Sequence, residues 1–196
     1  MISKNISSFV KTSFCDWPGK ISSIIFVRNC NFRCPTCHNF ELLETNETLE
    51  PEELFNKIFD NYRWINHLTI SGGEPTIYND LYDLVKFFND NNFIVKVDSN
   101  GSRPDMIEKL MPITSLFSID IKAPFYKYPE VTGYRIDEKT IKEKFEYIIS
   151  LSKINPDQFQ FRTTLVPSLT NEDIEEIKSY FPPDYQIQFQ DYKEIN

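Results

Sequence analysis

The sequence predicts an α/β fold in which parallel strands alternate with helices, either as a partial, open barrel or as a flat sheet. Three observations lead to this prediction. Short β-branched runs alternate with longer amphipathic runs, and the unusual residues follow directly after the short runs. The chain of 196 residues is also shorter than a complete eight-stranded barrel, which takes about 250. Both alternatives carry their functional residues at the carboxyl ends of the strands, so periodicity alone does not choose between them.

Six short apolar runs are typical of buried strands. They cover residues 21–27, 68–70, 93–97, 116–121, 158–166 and 185–189. Amphipathic runs between them predict helices over residues 51–62, 81–88, 102–111, 138–151 and 170–180. Pro51 suits a first helical turn, and two pairs, Ser102 with Asp105 and Thr170 with Asp173, predict capping boxes. This alternation of strands and helices favours parallel pairing with right-handed crossovers.

Composition narrows the function classes. Asp and Glu outnumber Lys and Arg by 29 to 21, so the formal charge is −8, which argues against a nucleic-acid binder. The first residues form no apolar signal core and no run long enough to span a membrane occurs, so we expect no membrane contact and a reducing, cytoplasmic setting. We expect one domain over residues 1–196, with an N-terminal segment over 1–20, a cysteine loop over 30–38 and an aromatic insertion over 123–136.

Three of the four cysteines fall within eight residues, directly after the strand predicted over 21–27. Cys30, Cys34 and Cys37 have the spacing C-x3-C-x2-C, which brings three thiolates close enough to hold a metal centre. A tetrahedral zinc ion would want a fourth protein ligand, whereas a [4Fe-4S] cluster held by three thiolates leaves one iron open. Three ordinary unligated cysteines at this position would be unusual packing. The spacing therefore favours an iron–sulfur cluster.

This cysteine motif, after the first strand of a βα series, resembles the radical S-adenosylmethionine (SAM) superfamily. The resemblance covers nearly the whole chain and implies a partial (βα)6 barrel with parallel strands. It also implies that the open iron binds the amino and carboxylate groups of SAM, and that reductive cleavage gives methionine and a 5′-deoxyadenosyl radical. The family often has an aromatic residue where this chain has Thr36. Adenine packing would therefore involve Thr36 and its neighbours His38 or Phe40.

Two further segments resemble SAM-binding motifs of the family. Ser-Gly-Gly-Glu-Pro at 71–75 resembles the motif after the second strand, which implies that Gly72, Gly73 and Glu74 meet the methionine ammonium. The paired glycines would let the backbone approach a ligand closely, although Gly-Gly also occurs in ordinary turns.

Asp-Ser-Asn-Gly at 98–101 resembles an Asp-Thr-Asn-Gly motif, which implies that Asp98, Ser99 and Asn100 contact the ribose or carboxylate of SAM. The alternative is that these polar residues only cap the helix that follows.

Two charged or polar pairs share strand faces near the same rim. Asp120 and Lys122 are two residues apart, as are Arg162 and Thr164, so each pair points to one side of its strand. Buried charges are costly unless they are paired or used, so all four are candidates for SAM binding. The alternative is that they fill a polar barrel interior.

Within the superfamily, three local signatures resemble the glycyl radical enzyme activases, in particular those that serve anaerobic ribonucleoside-triphosphate reductase. They are Asp-x-Pro-Gly-Lys at 16–20, Cys-His-Asn at 37–39 and Asp-Ile-Lys-Ala-Pro at 120–124. The resemblance implies hydrogen abstraction from a glycine of a partner enzyme and an electron donor of the flavodoxin or ferredoxin type. It requires no acid–base dyad and no protein nucleophile, and the sequence shows neither.

Other functions stay open at this point. A small-molecule radical SAM enzyme similar to 7-carboxy-7-deazaguanine synthase would have comparable length and cysteine spacing, although Cys-Asp-Thr would replace Cys37-His38-Asn39. A non-catalytic metal-binding module would not explain the Gly-Gly-Glu segment. The aromatic insertion over 123–136 suits contact with a partner or substrate, or a satellite hydrophobic cluster.

Overall fold

The computed structural model describes residues 2–44, 48–183 and 185–194. Its described strands form one seven-stranded sheet in the order β1 to β7. They are β1 (Ile6–Ser13), β2 (Ser22–Val27), β3 (His67–Gly72), β4 (Ile94–Ser99), β5 (Leu116–Asp120), β6 (Phe159–Leu165) and β7 (Ile187–Asp191). Strands β2 to β7 pair in parallel, and β1 and β7 form the two edges of a sheet that does not close. The expectation of a partial, open barrel is therefore confirmed.

Seven α-helices occur among the described residues. They are α1 (Phe40–Glu44), α2 (Pro51–Asn61), α3 (Leu81–Asp90), α4 (Pro104–Leu110), α5 (Tyr128–Thr132), α6 (Glu138–Ser152) and α7 (Asn171–Ser179). The five predicted helices correspond to α2, α3, α4, α6 and α7. Within the described ranges, none of the helices has the length and apolar character needed to cross a bilayer.

Two details of the prediction were wrong. Strand β1 was not predicted, and it pairs antiparallel with β2, so the sheet is not wholly parallel. It is an edge strand in which most residues are partly or fully exposed, so it lacks the apolar run of a buried strand. The capping box at α4 does not form, because Arg103 takes the Asp105 carboxylate and the Ser102 hydroxyl accepts from Asn31. The predicted capping box at α7 is confirmed.

The two faces of the sheet differ in chemistry. One face carries a register-matched row of fully buried apolar residues, Ile25, Ile70, Val97 and Phe117, which join the helices in one hydrophobic core. The opposite face carries rows of polar residues, such as Asp98 beside Ser118 and Gln160, and Asp120 beside Arg162 and Gln188. This segregation leaves a polar concave surface inside the open barrel.

The aromatic insertion supports the cysteine loop from outside. Phe32 is 1% exposed and packs against Tyr128 and Tyr134, with ring centroids 6.3 and 4.9 Å away. The Arg33 N–H donates to the Thr132 carbonyl at 2.7 Å. Tyr128 is fully buried, so the insertion forms a structural cluster at this point, and the expectation of partner contact does not hold for Tyr128.

The first part of the insertion is hydrogen-bonded to α7 through the buried carboxylate of Asp173. Asp173 accepts hydrogen bonds from Lys127 Nζ (2.8 Å), the Tyr126 hydroxyl (2.6 Å) and the Thr170 N–H (2.8 Å). Burial acts to raise the pKa of Asp173, but the bonds from Lys127, Thr170 and Tyr126 outweigh it and lower the pKa to about 2. Asp173 is therefore ionised in the folded protein at any ordinary pH.

This lowered pKa predicts a stability change in acid. The contribution of Asp173 to the free energy of unfolding should be complete above its unfolded pKa of about 3.9 and should disappear as the pH falls towards 2. We expect Asp173→Asn to be less stable than the native chain at pH 7, with a difference that shrinks below pH 4. Urea unfolding of the apoprotein measures this, with the exposed Asp60→Asn as control. A difference that stays constant down to pH 3 would contradict the assignment.

Candidate functional site

A cavity of about 450 Å³ occupies the concave face of the sheet at the carboxyl ends of the parallel strands. The site residues singled out from the sequence line it, from the cysteine loop to the end of β6, with the exception of Phe40, which is half-exposed. The reason is geometric, because the carboxyl ends of parallel strands meet at one edge of the sheet. The structure therefore brings the candidate residues together, and it leaves their ligands to be inferred from the chemistry of the wall.

The cysteine loop turns its three thiols towards this cavity. Phe32 belongs to the hydrophobic core and anchors the loop there. The Cys30 sulfur accepts the Phe32 N–H at 3.3 Å, and the Cys37 N–H donates to the Cys34 carbonyl at 3.1 Å. All three cysteines are free of disulfides and partly buried. The loop therefore presents three thiols with fixed backbone geometry.

Burial favours the protonated thiols of Cys30 and Cys34, which could become ligands by losing their protons when a metal centre binds. Burial, with the Glu74 charge adding to it, raises the pKa of Cys30 to about 12. Burial also raises the pKa of Cys34, and the nearby Lys122 ammonium opposes it. A bound metal centre would replace the protons and compensate for the burial of the thiolates.

In the described part of the chain, no three His, Cys, Asp or Glu side chains converge tightly enough to hold a single metal ion. The thiols of Cys30, Cys34 and Cys37 line the wall of the cavity. A multinuclear iron–sulfur cluster is wider than one ion and is held by cysteine thiolates. The donor set, three cysteines that line one cavity, therefore fits such a cluster.

The turn after β3 touches the chain that leads into the cysteine loop. Gly72 has a φ of +107°, and a Cβ on Gly73 would lie 2.0 Å from the Asn29 carbonyl oxygen. The Gly73 N–H donates to the Val27 carbonyl at 2.8 Å, and the Glu74 N–H donates to the Asn29 carbonyl at 2.9 Å. The two glycines are needed because any side chain here would separate the turn from the loop.

Glu74 connects this turn to the end of β4. It is 1% exposed, and its carboxylate accepts from the Thr76 N–H (3.0 Å), the Ser99 hydroxyl (2.9 Å) and the Asn100 N–H (2.6 Å). Burial raises the pKa of Glu74, and these hydrogen bonds oppose that rise. Because protein donors engage both carboxylate oxygens, we interpret Glu74 as a residue that positions the turn.

A chain of alternating charges crosses the concave face. Lys96, which is fully buried, contacts Asp98, and Asp98 lies 3.5 Å from Arg162. Arg162 donates to Asp120 at 2.7 Å, and Asp120 accepts from Lys122 at 2.8 Å. Burial acts to raise the pKa of Asp120, but Arg162 and Lys122 outweigh it and lower that pKa well below its usual range. The sequence predicted four of these residues as site residues, namely Asp98, Asp120, Lys122 and Arg162, and it missed Lys96.

Two side chains at the end of the cysteine loop contact other segments: His38, the last residue of the loop, and Asn39, which follows it. The His38 Nε2 lies 2.7 Å from the Lys193 carbonyl oxygen, and its ring packs against Tyr192 at 5.4 Å between centroids. Asn39 donates to the Gly72 carbonyl at 3.3 Å. The loop is therefore held to the β3 turn on one side and to the segment after β7 on the other.

Several residues of the wall were not predicted as site residues. They are Cys15, Asp16, Phe26, Ser71, Val131 and Gln190, among others. Two of them could have been found by extending the strand periodicity, because Ser71 shares a face with Asp98 and Gln190 pairs with Thr164. Asn31 was also missed, since no motif distinguishes it.

The close approach of Gly73 predicts a steric effect on stability. Gly73→Ala would drive a methyl group into the Asn29 carbonyl and should lower the free energy of unfolding by about 1–3 kcal/mol. Gly19→Ala is the matched control, because Gly19 has a φ of +68° with open space around it and should lose only about 1 kcal/mol from backbone strain. Urea unfolding of both variants checks this. Equal losses would show that the turn yields freely.

Comparison with known proteins agrees with this geometry. Residues 24–181 match the Radical SAM superfamily model. A Methanocaldococcus jannaschii protein named as a glycyl-radical enzyme activating enzyme is 38% identical over 88% of this chain and 73% of its own length. The pyruvate formate-lyase-activating enzyme of Clostridium pasteurianum is 26% identical over 87% of this chain and 72% of its own.

A solved structure shows the same fold. The structure of TYW1 with a lysine-pyruvate adduct bound superposes with a TM-score of 0.64 at 24% identity. The match covers 89% of this chain and 65% of that one. With the cysteine loop, the glycine turn and the charged rim gathered around one cavity, the protein belongs to the radical SAM superfamily and is an oxidoreductase that uses an iron–sulfur cluster and SAM.

Proposed function

We propose that the protein activates a glycyl radical enzyme, with a [4Fe-4S] cluster on Cys30, Cys34 and Cys37. When bound, the cluster and SAM supply an electron and a 5′-deoxyadenosyl radical, which removes a hydrogen atom from the Cα of a glycine. The side chains bind, orient and shield these groups, and none of them acts as acid, base or nucleophile.

The observation that carries this proposal is that the cavity wall has a charged half beside the thiols and an uncharged half at the ends of β6 and β7. The charged half holds Asp98, Asp120, Lys122 and Arg162 beside the thiols. SAM carries an ammonium, a carboxylate and a sulfonium, so this half suits SAM. We propose that Lys122 at the exposed end of the charge chain meets the carboxylate.

The uncharged half lies at the ends of β6 and β7, beyond the Asp120–Arg162 ion pair. Thr164 and Gln190 line the cavity side by side, and their side chains make no hydrogen bond to any other described residue. Neutral donors and acceptors of this kind suit the peptide groups of a glycine loop. A carboxylated small molecule, as in the deazaguanine alternative, would favour a cation there.

The remaining wall residues have supporting roles in this proposal. The backbone at Gly72 and Gly73 faces the methionine ammonium, and Thr36 and His38 flank the adenine. Asp98 takes the ribose, while Ser99 and Asn100 hold the Glu74 carboxylate that positions the turn.

We propose anaerobic ribonucleoside-triphosphate reductase as the partner and a flavodoxin or ferredoxin as the electron donor. The signatures at 16–20, 37–39 and 120–124 and the relatives named as activating enzymes support this choice. Because the thiols must stay reduced, we propose a reducing cytoplasmic setting, with neither nucleic acid nor membrane as partner. The described helices and strands form one continuous sheet and core, which supports a single domain over residues 1–196.

The cluster assignment predicts which cysteines matter. After anaerobic reconstitution the protein should hold about four iron atoms, and reduction with SAM present should release 5′-deoxyadenosine. Cys30→Ala should lose most of the iron and all of the product, whereas Cys15→Ala should keep the iron. Iron analysis and chromatography of the product measure both. Zinc in a redox-silent protein would defeat the cluster assignment and support a non-catalytic metal-binding module.

The partner assignment predicts a radical on a second protein. Mixing the reduced, SAM-loaded protein with anaerobic ribonucleoside-triphosphate reductase should give a glycyl doublet in electron paramagnetic resonance (EPR) spectra. A reductase whose radical-bearing glycine is replaced by alanine is the control and should give none. If 5′-deoxyadenosine forms but the reductase and other glycyl radical enzymes gain no radical, the activase proposal fails and a small-molecule substrate is favoured.

A further inference from the structure

Asn31 lies between the cysteine loop and the turn that follows β4. Its side-chain N–H donates to the Ser102 hydroxyl at 2.8 Å, and its side-chain oxygen accepts from Asn100 Nδ2 at 2.9 Å. Both contacts join residues about seventy positions apart in the chain. Asn31, which directly follows Cys30, therefore links the cysteine loop to the β4 turn by hydrogen bonds.

The Asn100 carboxamide is oriented by this contact. One hydrogen of its Nδ2 is directed to Asn31, and the same nitrogen lies 3.8 Å from the Cys30 sulfur, within hydrogen-bonding reach of sulfur. The Asn100 side-chain oxygen accepts the Ser102 N–H at 2.9 Å. Asn100 is 6% exposed, and both polar atoms of its side chain are engaged, so its orientation is determined by the protein.

The β4 turn is itself held in place from two sides. The Asn100 N–H donates to Glu74 at 2.6 Å, and Lys144 on α6 donates to the Ser102 carbonyl at 2.6 Å. Ser102 is fully buried. A turn held in this way can present the Asn100 amide to the sulfur with little freedom to move.

A hydrogen-bond donor on a cluster thiolate has a definite electrostatic effect. It stabilises the more negative, reduced cluster more than the oxidised one, so it raises the reduction potential. The Cys30 sulfur receives two such donors, the Phe32 N–H at 3.3 Å and the Asn100 amide at 3.8 Å.

We propose that Asn31 is a positioning residue for the potential of the cluster. By holding the Asn100 amide towards the Cys30 sulfur, it raises the midpoint potential and makes reduction by a physiological donor easier. This inference rests on the cluster assignment in the proposed function. It is independent of the identity of the partner enzyme.

A potentiometric titration of Asn31→Ala, followed by EPR of the reduced cluster, tests the proposal. At a fixed applied potential, the ratio of reduced to oxidised cluster should fall about threefold to tenfold relative to the native chain, where tenfold equals 59 mV for a one-electron couple. Iron content should be unchanged. Asn91→Ala is the matched control, because Asn91 bonds only within its own helix end, to the Phe87 carbonyl, and should leave the potential unchanged.

A second variant keeps the test decisive if Asn31→Ala fails to take up iron. Ser102→Ala removes the acceptor of the Asn31 N–H but leaves Asn100 beside Cys30, so it should lower the ratio in the same direction by a smaller factor.

Full iron loading with an unshifted or raised potential would overturn the proposal, and so would loss of iron in both variants, since Asn31 would then serve the fold alone. Failure of the native chain to assemble a cluster would instead defeat the proposed function.

Discussion

The geometry of the site depends on the hydrogen bonds to the buried carboxylate of Glu74. A carboxylate at this depth is costly unless its lone pairs are satisfied, and donors from Thr76, Ser99 and Asn100 satisfy them. The same turn reaches the cysteine loop through the N–H groups of Gly73 and Glu74. One buried group therefore sets the relative positions of the β3 turn, the end of β4 and the metal-binding loop.

Around this centre the sheet divides its chemistry between two faces. The apolar face packs against the helices and supplies the burial that stabilises the fold, so the concave face is free to carry charge. Its charges occur as alternating neighbours from Lys96 to Lys122, because an unpaired charge at this depth would be far more costly than a paired one. The result is a polar wall whose charges are paired with one another.

The sequence predicted the open barrel and six of the seven strands, and the residues that it proposed for the site line one cavity, Phe40 excepted. These succeeded because strand periodicity and the step from strand to turn are local signals, and parallel topology then collects the strand ends at one edge. Strand β1 was not predicted because an antiparallel edge strand with exposed residues has no apolar run. The Ser102 capping box was wrong because Asn31, distant in sequence, engages the same hydroxyl.

By itself, the sequence determined the three cysteines, the glycine turn and the alternation that brings them together, since each depends on residues close along the chain. Only the tertiary structure decided how these residues are used. It showed that Glu74 is engaged by protein donors, that Lys96 begins the charge chain, and that Asn31 accepts from the Asn100 amide beside the Cys30 sulfur. These roles depend on contacts between segments far apart in sequence, and such contacts exist only once the sheet and its turns are packed.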